Sequence, residues 1–221
     1  MGYETSLHAP DGGHLCARCE EVKPAFVRAT AFGAYEWMGP VLRLFKFDGV
    51  RALERPLGKM LAEAIVAQAE GMPERLLVVP VPLYGRRRIY NQSELLARGA
   101  VRAVRRLRPE WAMELAPRCM KRVHHREAHY RLSPEERREN VRGAFRVQGG
   151  VRGQHVLLVD DVYTTGATVT ECTETLLAAG AESVRVVTLA RAGTQMPVLW
   201  RPRTHQVRNS FEQLQESTLR H

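Results

Sequence analysis

The chain lacks long apolar runs and is poor in cysteine. No apolar stretch approaches the length of a membrane span, and the first residues, MGYETSLHAPDGG, contain no hydrophobic region of a secretion signal. The 4 cysteines among 221 residues do not resemble a disulfide framework. We therefore expect a cytoplasmic protein with reduced thiols, built as one good-sized domain or as one domain with a small appendage.

Acidic residues are scarce in the middle of the chain. Residues 84–146 contain 17 Lys or Arg against 7 Glu and no Asp, so this block has a net charge of +10 within a chain of net charge +9. Such a block suits an anionic ligand, for example a pyrophosphate or a nucleic acid. The alternative is that these arginines simply cover solvent-exposed helix faces.

The residues with the clearest chemistry follow a short apolar run. Residues 156–159 predict a fully buried strand, which runs directly into the carboxylates of Asp160 and Asp161. A turn of small and hydroxylated residues then precedes a helical pattern, so backbone N–H groups and hydroxyls gather at a helix N-terminus, where a phosphate fits. The turn consists of Thr164, Thr165, Gly166, Ala167 and Thr168.

The two acids make this more than a phosphate site. Carboxylates at the end of a buried strand can accept hydrogen bonds from sugar hydroxyls or orient Mg²⁺ and its waters. The implied ligand is a sugar phosphate. The structural alternative is a solvated Asp-Asp turn with a threonine N-cap.

Alternating strands and helices predict the fold. The predicted strands are residues 76–81, 115–123, 144–147, 156–159 and 183–190, and the predicted helices are residues 55–69, 91–107 and a segment from Ser133 to Gly143 with a Ser133–Glu136 capping box. Residues 27–47 predict either an edge hairpin or a strand followed by a short helix. This order predicts an α/β fold with a doubly wound parallel sheet.

The predicted domain organisation has three parts. Residues 1–26 form a small N-terminal appendage, residues 27–191 form the α/β domain, and residues 192–221 form a tail without an interpretable pattern.

Several separated motifs, taken in order, resemble the ComF family, also called GntX, of type I phosphoribosyltransferase-like proteins. The resemblance covers about residues 15–191. It is carried by CARC, LFKFDG, VVPVPL, RRRIYNQSELLA, LSPEERRENVRGAF, and VLLVDDVYTTGATV followed by TLAR. The resemblance implies a type I phosphoribosyltransferase-like fold and binding of phosphoribosyl pyrophosphate (PRPP).

The resemblance also implies roles for particular residues. Asp160 and Asp161 would be the catalytic acids that bind the ribose hydroxyls, and residues 164–168 would bind the 5′-phosphate. The segment after the second buried strand would be the pyrophosphate loop, with Arg86 and Arg88 near the diphosphate and Mg²⁺. This loop begins with Val81, Pro82 and Leu83, and Asn91 and Gln92 follow it in the same motif.

A basic segment from Arg122 to Arg131 would be a flexible lid that keeps water from the reacting carbon. The family has Thr and Gln at two lid positions where this chain has Arg126 and His129. The chain also has Arg88-Ile89-Tyr90-Asn91-Gln92 where the family has Arg-Gly-Phe-Asn-Gln. These departures concern the lid contacts more than PRPP binding.

A CxxC near the start is spaced like half of a zinc knuckle. The family pattern leads us to expect a second CxxC upstream of Cys16 and Cys19, but the preceding residues offer only His8 and His14. A missing upstream segment, histidine ligands and a vestigial site all stay open. Structural Zn²⁺ is therefore a second cofactor expectation beside Mg²⁺.

Two functions from different classes follow. The first is Mg²⁺-dependent transfer of phosphoribosyl from PRPP to a nitrogen acceptor. The second is a non-catalytic component of DNA uptake that senses PRPP or binds single-stranded DNA and works with a helicase-like partner, as the family's link to competence implies. Its support from the residues is the basic block with Tyr84, Tyr90 and Tyr130. The sequence leaves the oligomeric state open, a homodimer included.

Overall fold

The computed structural model describes residues 23–47, 50–85, 90–124 and 133–192. Strands and helices alternate along most of this length. In chain order they are β1 (Arg28–Ala34), α1 (Tyr35–Phe47), a short 3₁₀ helix (Arg51–Leu53), α2 (Glu54–Val66), β2 (Arg75–Pro80), α3 (Gln92–Leu107), β3 (Ala112–Leu115), β4 (Met120–Arg122), α4 (Pro134–Val141), β5 (Phe145–Val147), β6 (His155–Tyr163), α5 (Ala167–Ala178) and β7 (Ser183–Arg191).

The main sheet has the strand order β1-β7-β6-β2-β3, and every neighbouring pair is parallel. The remaining strands, β4 and β5, pair antiparallel in a separate small sheet. The predicted doubly wound parallel sheet is therefore confirmed, since helices cover both of its faces.

Two apolar clusters lie on opposite faces of the main sheet. Alternate strand residues point to opposite faces, so Val78, Leu157 and Val187 pack against α1, α2 and α3. Their neighbours Val79 and Leu158 pack against α5 and the small β4–β5 sheet. Burying an aliphatic side chain of this size contributes about 1.5–3 kcal/mol, so both clusters stabilise the strands that end at the candidate site.

Helices α2 and α3 pack with their backbones almost in contact. A Cβ on Gly58 would lie 2.7 Å from the Cα of Gly99, closer than real Cβ atoms approach. Glycine at both positions permits this approach, which brings α3 down onto the sheet beside α2.

The structure differs from the predicted strands in two places. The predicted strand at residues 115–123 is two strands in different sheets, β3 and β4, with Pro117 between them. Proline cannot donate to a ladder, so the chain leaves the main sheet there. The predicted edge strand at residues 144–147 pairs with β4 rather than with the main sheet.

The N-terminal part of the domain is a strand followed by a helix. Residues 28–34 form the edge strand β1, and α1 is 13 residues long, so the hairpin alternative is wrong and the helix is longer than predicted. Phe26, at the end of the predicted appendage, is buried in the core. Leu107, the last residue of α3, is 56% exposed.

The predicted capping box is confirmed, and a glycine follows the end of α5. Ser133 accepts a hydrogen bond from the backbone of Glu136, whose carboxylate accepts one from the backbone of Ser133, which completes the capping box. Gly180 follows α5 with a φ of 94°, a conformation suited to glycine. None of the described helices is long and apolar enough to cross a bilayer.

Candidate functional site

The two acids lie where one side of β6 loses its partner strand. Strand β2 pairs with β6 as far as Pro80 and Val159, whereas β7 pairs with β6 as far as Tyr163. The strand is therefore longer than the predicted residues 156–159, and Asp160 and Asp161 lie within it rather than after it. Because β2 has already ended, this part of β6 borders the carboxyl edge of the sheet, where open α/β sheets bind ligands.

The side chains of Asp160 and Asp161 lie on opposite faces of the strand. Asp161 shares its face with Leu157 and Val159, and its Oδ2 lies 2.6 Å from the ammonium Nζ of Lys46 at the end of α1. Asp160 Oδ1 accepts hydrogen bonds from the hydroxyl of Ser93 at 3.0 Å and from the backbone N–H of Asp161 at 2.9 Å. One acid is thus ion-paired and the other is held by neutral donors.

The pKa of Asp160 is raised to about 7. Burial is the largest cause, and the charge of Asp161 adds to it, while Lys46, the backbone N–H of Asp161 and the hydroxyl of Ser93 act in the opposite direction. A carboxyl group with this pKa changes its protonation state near neutral pH, so its capacity to accept hydrogen bonds depends on pH in that range.

The turn before α5 has the geometry of an anion site. Gly166 has a φ of 79° and precedes the first helical residue, Ala167. A Cβ on Gly166 would collide with the hydroxyl of Tyr163, so both the conformation and the available space require glycine. Thr165 Oγ1 accepts a long hydrogen bond of 3.4 Å from the N–H of Ala167. The predicted helix N-terminus after this turn is confirmed, and its role as a phosphate site stays a prediction.

The first-turn amides of α5 point away from the helix body. The N–H groups of a first helical turn have no carbonyl acceptor within the helix, and they lie at the positive end of the helix dipole. In the described part of the chain, no acceptor lies against the N–H groups of Thr168 and Val169. The turn and these two amides form a place where a phosphate can be bound by the backbone.

The loop after β2 starts beside the acids. Val81 is buried and its N–H donates to the carbonyl of Val159 at 2.9 Å, so the predicted loop begins against β6. Pro82 and Leu83 follow it, and Leu83 is partly exposed. Arg86 and Arg88, the predicted diphosphate contacts, lie outside the described residues.

Asn91 and Gln92 make structural contacts at the start of α3. Asn91 caps the helix, since its side-chain oxygen accepts from the N–H of Ser93 at 3.1 Å, and its Nδ2 donates to the carbonyl of Val81 at 3.0 Å. Gln92 Nε2 donates to the carbonyl of Lys46 at 3.4 Å. These two side chains therefore join the loop after β2 and the end of α1 to α3.

The structure describes residues 122–124 of the predicted lid, and Arg122 begins that segment. It ends β4, and its guanidinium lies over the ring of Phe145 and donates to the carbonyl of His124 at 3.1 Å. Burial lowers the pKa of Arg122, and the negative charge of Asp160 is among the effects that act against that lowering. The small β4–β5 sheet thus places a cation on the Asp160 side of the main sheet, while Arg126 and His129 lie outside the described residues.

A cavity of about 330 Å³ extends from the turn toward α4. It shares Tyr163, Thr165 and Ala167 with the turn region, and the rest of its lining comes from α4, from the outer face of α5 and from Pro24. The cavity therefore lies beside the outer side of the turn.

Metal ligands are sparse in the part of the chain that the structure covers. Cys16 and Cys19 lie outside it, so the zinc expectation stays a prediction. Cys119 and Cys172 are buried free thiols, and burial raises the pKa of each. Within the described residues, no group of three or more His, Cys, Asp or Glu side chains is arranged to hold a metal ion.

Sequence reasoning missed Lys46 and Ser93. Lys46 belongs to the LFKFDG motif and Ser93 to the YNQSELLA motif. Both motifs support the family resemblance, but neither residue was assigned a role. A lysine in the last turn of a helix and a serine in the first turn are ordinary helix-end residues. No local signal separates them from such residues, and only the fold brings them to the acids.

Comparison with known protein families identifies the type of domain. The family model of the phosphoribosyl transferase domain matches residues 120–211, which include both acids and the turn. The parallel sheet and this match together define a fold of the phosphoribosyltransferase type.

Two relatives give the particular family. The chain is 32% identical over 195 residues to the DNA utilization protein YhgH of Escherichia coli strain K12, a match that covers 85% of this chain and 80% of that protein. It is 31% identical over 187 residues to competence protein F of Haemophilus influenzae, covering 80% and 78%. The chain belongs to the ComF family, which includes these proteins.

Overall likeness to solved structures is loose. A structure of Trypanosoma cruzi hypoxanthine phosphoribosyl transferase matches with 17% identity and a TM-score of 0.40, covering 66% of this chain and 70% of that one. A superposition of this kind adds nothing to the family assignment.

Proposed function

We propose that this protein binds PRPP at the carboxyl edge of β6 and transfers its phosphoribosyl group to a nitrogen acceptor. One observation carries the proposal: a buried strand brings two carboxylates to the sheet edge a few residues before an open helix N-terminus. In this arrangement Asp160 and Asp161 bind the ribose hydroxyls, and the amides of the turn bind the 5′-phosphate.

The reaction requires no protein nucleophile. A nitrogen lone pair forms a bond to C1 of the ribose while the bond from C1 to the diphosphate oxygen breaks, and the electron pair leaves with pyrophosphate. Catalysis of this kind depends on positioning and on stabilising the charge of the leaving group. Arg122 of β4 supplies a cation on the Asp160 side of the sheet, and Arg86 and Arg88 follow the start of the loop after β2 in the sequence.

Mg²⁺ fits this site as an ion carried by the ligand. Mg²⁺ usually keeps several waters and is held by one or two carboxylates together with substrate phosphates, rather than by a cage of protein ligands. The described residues offer two adjacent acids and no larger group of metal ligands, which suits that mode. When bound, Mg²⁺ would neutralise charge on the diphosphate, and Asp160 or Asp161 would hold it through its waters.

Calorimetry with PRPP and Mg²⁺ tests the binding step. We expect wild type to bind, and we expect the variant Asp160→Asn/Asp161→Asn to bind at least roughly tenfold more weakly, because it loses two charged hydrogen-bond acceptors. Glu182→Gln removes one exposed acid outside the site and is the matched control, for which we expect unchanged affinity. Equal affinity of all three proteins would contradict the proposal.

Pyrophosphate release tests the transfer step. We expect wild type to release pyrophosphate from PRPP with at least one member of a panel of bases and amines, and we expect Asp160→Asn/Asp161→Asn not to. Binding without release across the panel would favour the non-catalytic role instead.

The second candidate function is a PRPP-sensing or single-stranded-DNA-binding component of DNA uptake. The observation in its favour is that the relatives are named a DNA utilization protein and a competence protein. Of the three tyrosines that support stacking on bases, Tyr90 already donates to the carbonyl of Phe45 at 2.5 Å and lies under Arg51, whereas Tyr84 is 41% exposed. Steeply salt-dependent binding to single-stranded DNA without turnover would support this role.

A further inference from the structure

Lys46 is a cation beside Asp161, and its ammonium group has more N–H donors than this ion pair uses. Its ammonium group has three N–H donors, and the only acceptor against it within the described residues is Asp161 Oδ2, at 2.6 Å. The side chain is 22% exposed, so it is partly open to solvent, whereas that of Asp161 is 12% exposed. The ion pair can therefore offer donors and an acceptor to the same ligand.

The backbone around Lys46 is fixed by the segment that follows the loop after β2. Tyr90 Oη donates to the carbonyl of Phe45 at 2.5 Å, and Gln92 Nε2 donates to the carbonyl of Lys46 at 3.4 Å. Between them in sequence, Asn91 Nδ2 donates to the carbonyl of Val81 at the start of that loop. The backbone of Lys46 is thus joined to the start of the loop after β2 through Gln92 and Asn91.

The position of Lys46 determines whether it can contact the 5′-phosphate or the diphosphate of the ligand. In the proposed binding mode the 5′-phosphate lies on the first turn of α5, which Gly166 begins. In the same proposed mode the diphosphate extends past Asp160 and Asp161 toward the loop after β2, which the family resemblance makes the pyrophosphate loop. Lys46 lies on the diphosphate side, and a diphosphate brings several negative charges toward Asp161 that need a cation.

We propose that Lys46 is a binding residue for the diphosphate of the sugar ligand, donating to a diphosphate oxygen while Asp161 accepts from a ribose hydroxyl. This inference rests on the proposed function, because it assigns a further residue to the same site. The contrasting role for Lys46 is to neutralise Asp161 and hold it in place without touching the ligand.

Three probes separate the two roles: PRPP with Mg²⁺, inorganic pyrophosphate with Mg²⁺, and ribose 5-phosphate, which lacks the diphosphate. We expect Lys46→Met to weaken binding of PRPP and of pyrophosphate by roughly tenfold or more, since a charged hydrogen bond is lost, and to change ribose 5-phosphate affinity less than about twofold. Lys46→Arg should retain most of the affinity. Lys59→Met, which removes an exposed lysine on α2, should leave all three affinities unchanged.

A second comparison covers the case in which Lys46→Met fails to fold because Asp161 is left buried and unpaired. Asp161→Asn and Lys46→Met/Asp161→Asn both lack that unpaired acid. We expect the double variant to bind pyrophosphate at least about fivefold more weakly than Asp161→Asn, because only the double variant has lost the lysine.

Each outcome decides the inference. Equal weakening of all three ligands, or no change, would overturn the role of Lys46 while leaving PRPP binding by wild type intact. Equal pyrophosphate affinity of Asp161→Asn and the double variant would overturn it as well. Failure of wild type to bind PRPP would overturn the proposed function together with this inference.

Discussion

Ser93 donates a hydrogen bond to Asp160 across 3.0 Å, although 67 positions separate them in the chain. Ser93 is in the first turn of α3 and is 4% exposed, and Asp160 is near the carboxyl edge of β6. This bond stabilises the ionised carboxylate, because the hydroxyl can donate to it. Ser93 therefore acts as a positioning residue whose loss should change the protonation of Asp160.

The first prediction concerns the pH dependence of ligand binding. Since the pKa of Asp160 is about 7, the carboxylate that accepts sugar hydroxyls forms as pH rises from 6 to 8, and PRPP affinity should rise over the same range. Ser93→Ala removes a donor to the carboxylate, so the midpoint of this rise should move to higher pH. Calorimetry at several pH values measures the midpoint.

The control for this measurement is Ser183→Ala. Ser183 Oγ lies 2.8 Å from His155 Nδ1 at the opposite end of β6, so its loss should leave the midpoint unchanged. PRPP carries phosphates that titrate in the same range, so the comparison is between variants at equal pH. Equal midpoints for wild type and Ser93→Ala would contradict the prediction.

The second prediction concerns stability and pH. The folded state raises the pKa of Asp160 from 3.8 to about 7, so between these values the folded protein holds a proton that the unfolded chain has lost. The contribution of this group to the free energy of unfolding therefore falls as pH rises from about 4 to 7. Asp160→Asn cannot titrate, so its stability relative to wild type should be greater at pH 8 than at pH 5.

Urea unfolding of both proteins at the two pH values measures this difference. All other titrating groups are shared by the two proteins, so wild type serves as the reference at each pH. A stability difference that stays constant between pH 5 and pH 8 would show that Asp160 is ionised well below neutral pH.

The third prediction concerns the turn. Gly166→Ala places a side chain at a φ of 79° and drives a Cβ into Tyr163. The backbone conformation alone should cost roughly 1–2 kcal/mol of the free energy of unfolding, and the collision should add to that cost. Because either Tyr163 or the turn must shift, ribose 5-phosphate binding should weaken.

Gly143→Ala separates the two causes. Gly143 has a φ of 66°, but a Cβ there would meet nothing within 4 Å. We expect this variant to show only the backbone cost and to keep ligand binding. If both variants lose the same stability and both keep ribose 5-phosphate binding, the close packing of Tyr163 on Gly166 has no role.

The fourth prediction separates two roles of Asn91. Asn91→Ala loses both the helix cap and the hydrogen bond to Val81, and it should lower the free energy of unfolding by about 1–2 kcal/mol. Asn91→Asp keeps an oxygen that can cap α3 but loses the donor to Val81. It should therefore be more stable than Asn91→Ala, as measured by urea unfolding. We expect both variants to bind pyrophosphate more weakly than wild type in calorimetry, because both lose the hydrogen bond that holds the start of the loop after β2. Pyrophosphate affinity at the wild-type level in Asn91→Asp would exclude the bond to Val81 as a support for the loop.

Much of the fold follows from local patterns. The apolar run before Asp160 predicted a buried strand, the residues Thr164–Thr168 predicted a helix N-terminus, and Ser133 predicted a capping box, all of which the structure contains. These features depend on backbone preferences and on side chains close in sequence. The predictions failed where a choice between sheets was needed, as at Pro117, where one predicted strand is two.

The sequence by itself determined the family, the parallel sheet and the strand-turn-helix unit that offers two acids and a set of backbone amides. Only the tertiary structure decided that β6 continues through Asp160 and Asp161 and points them to opposite faces, that Lys46 pairs with one, and that Ser93 holds the other. The physical reason is that these contacts join helix ends to a strand far away in sequence. They depend on how α1 and α3 pack on the sheet, and no local pattern of residues specifies that packing.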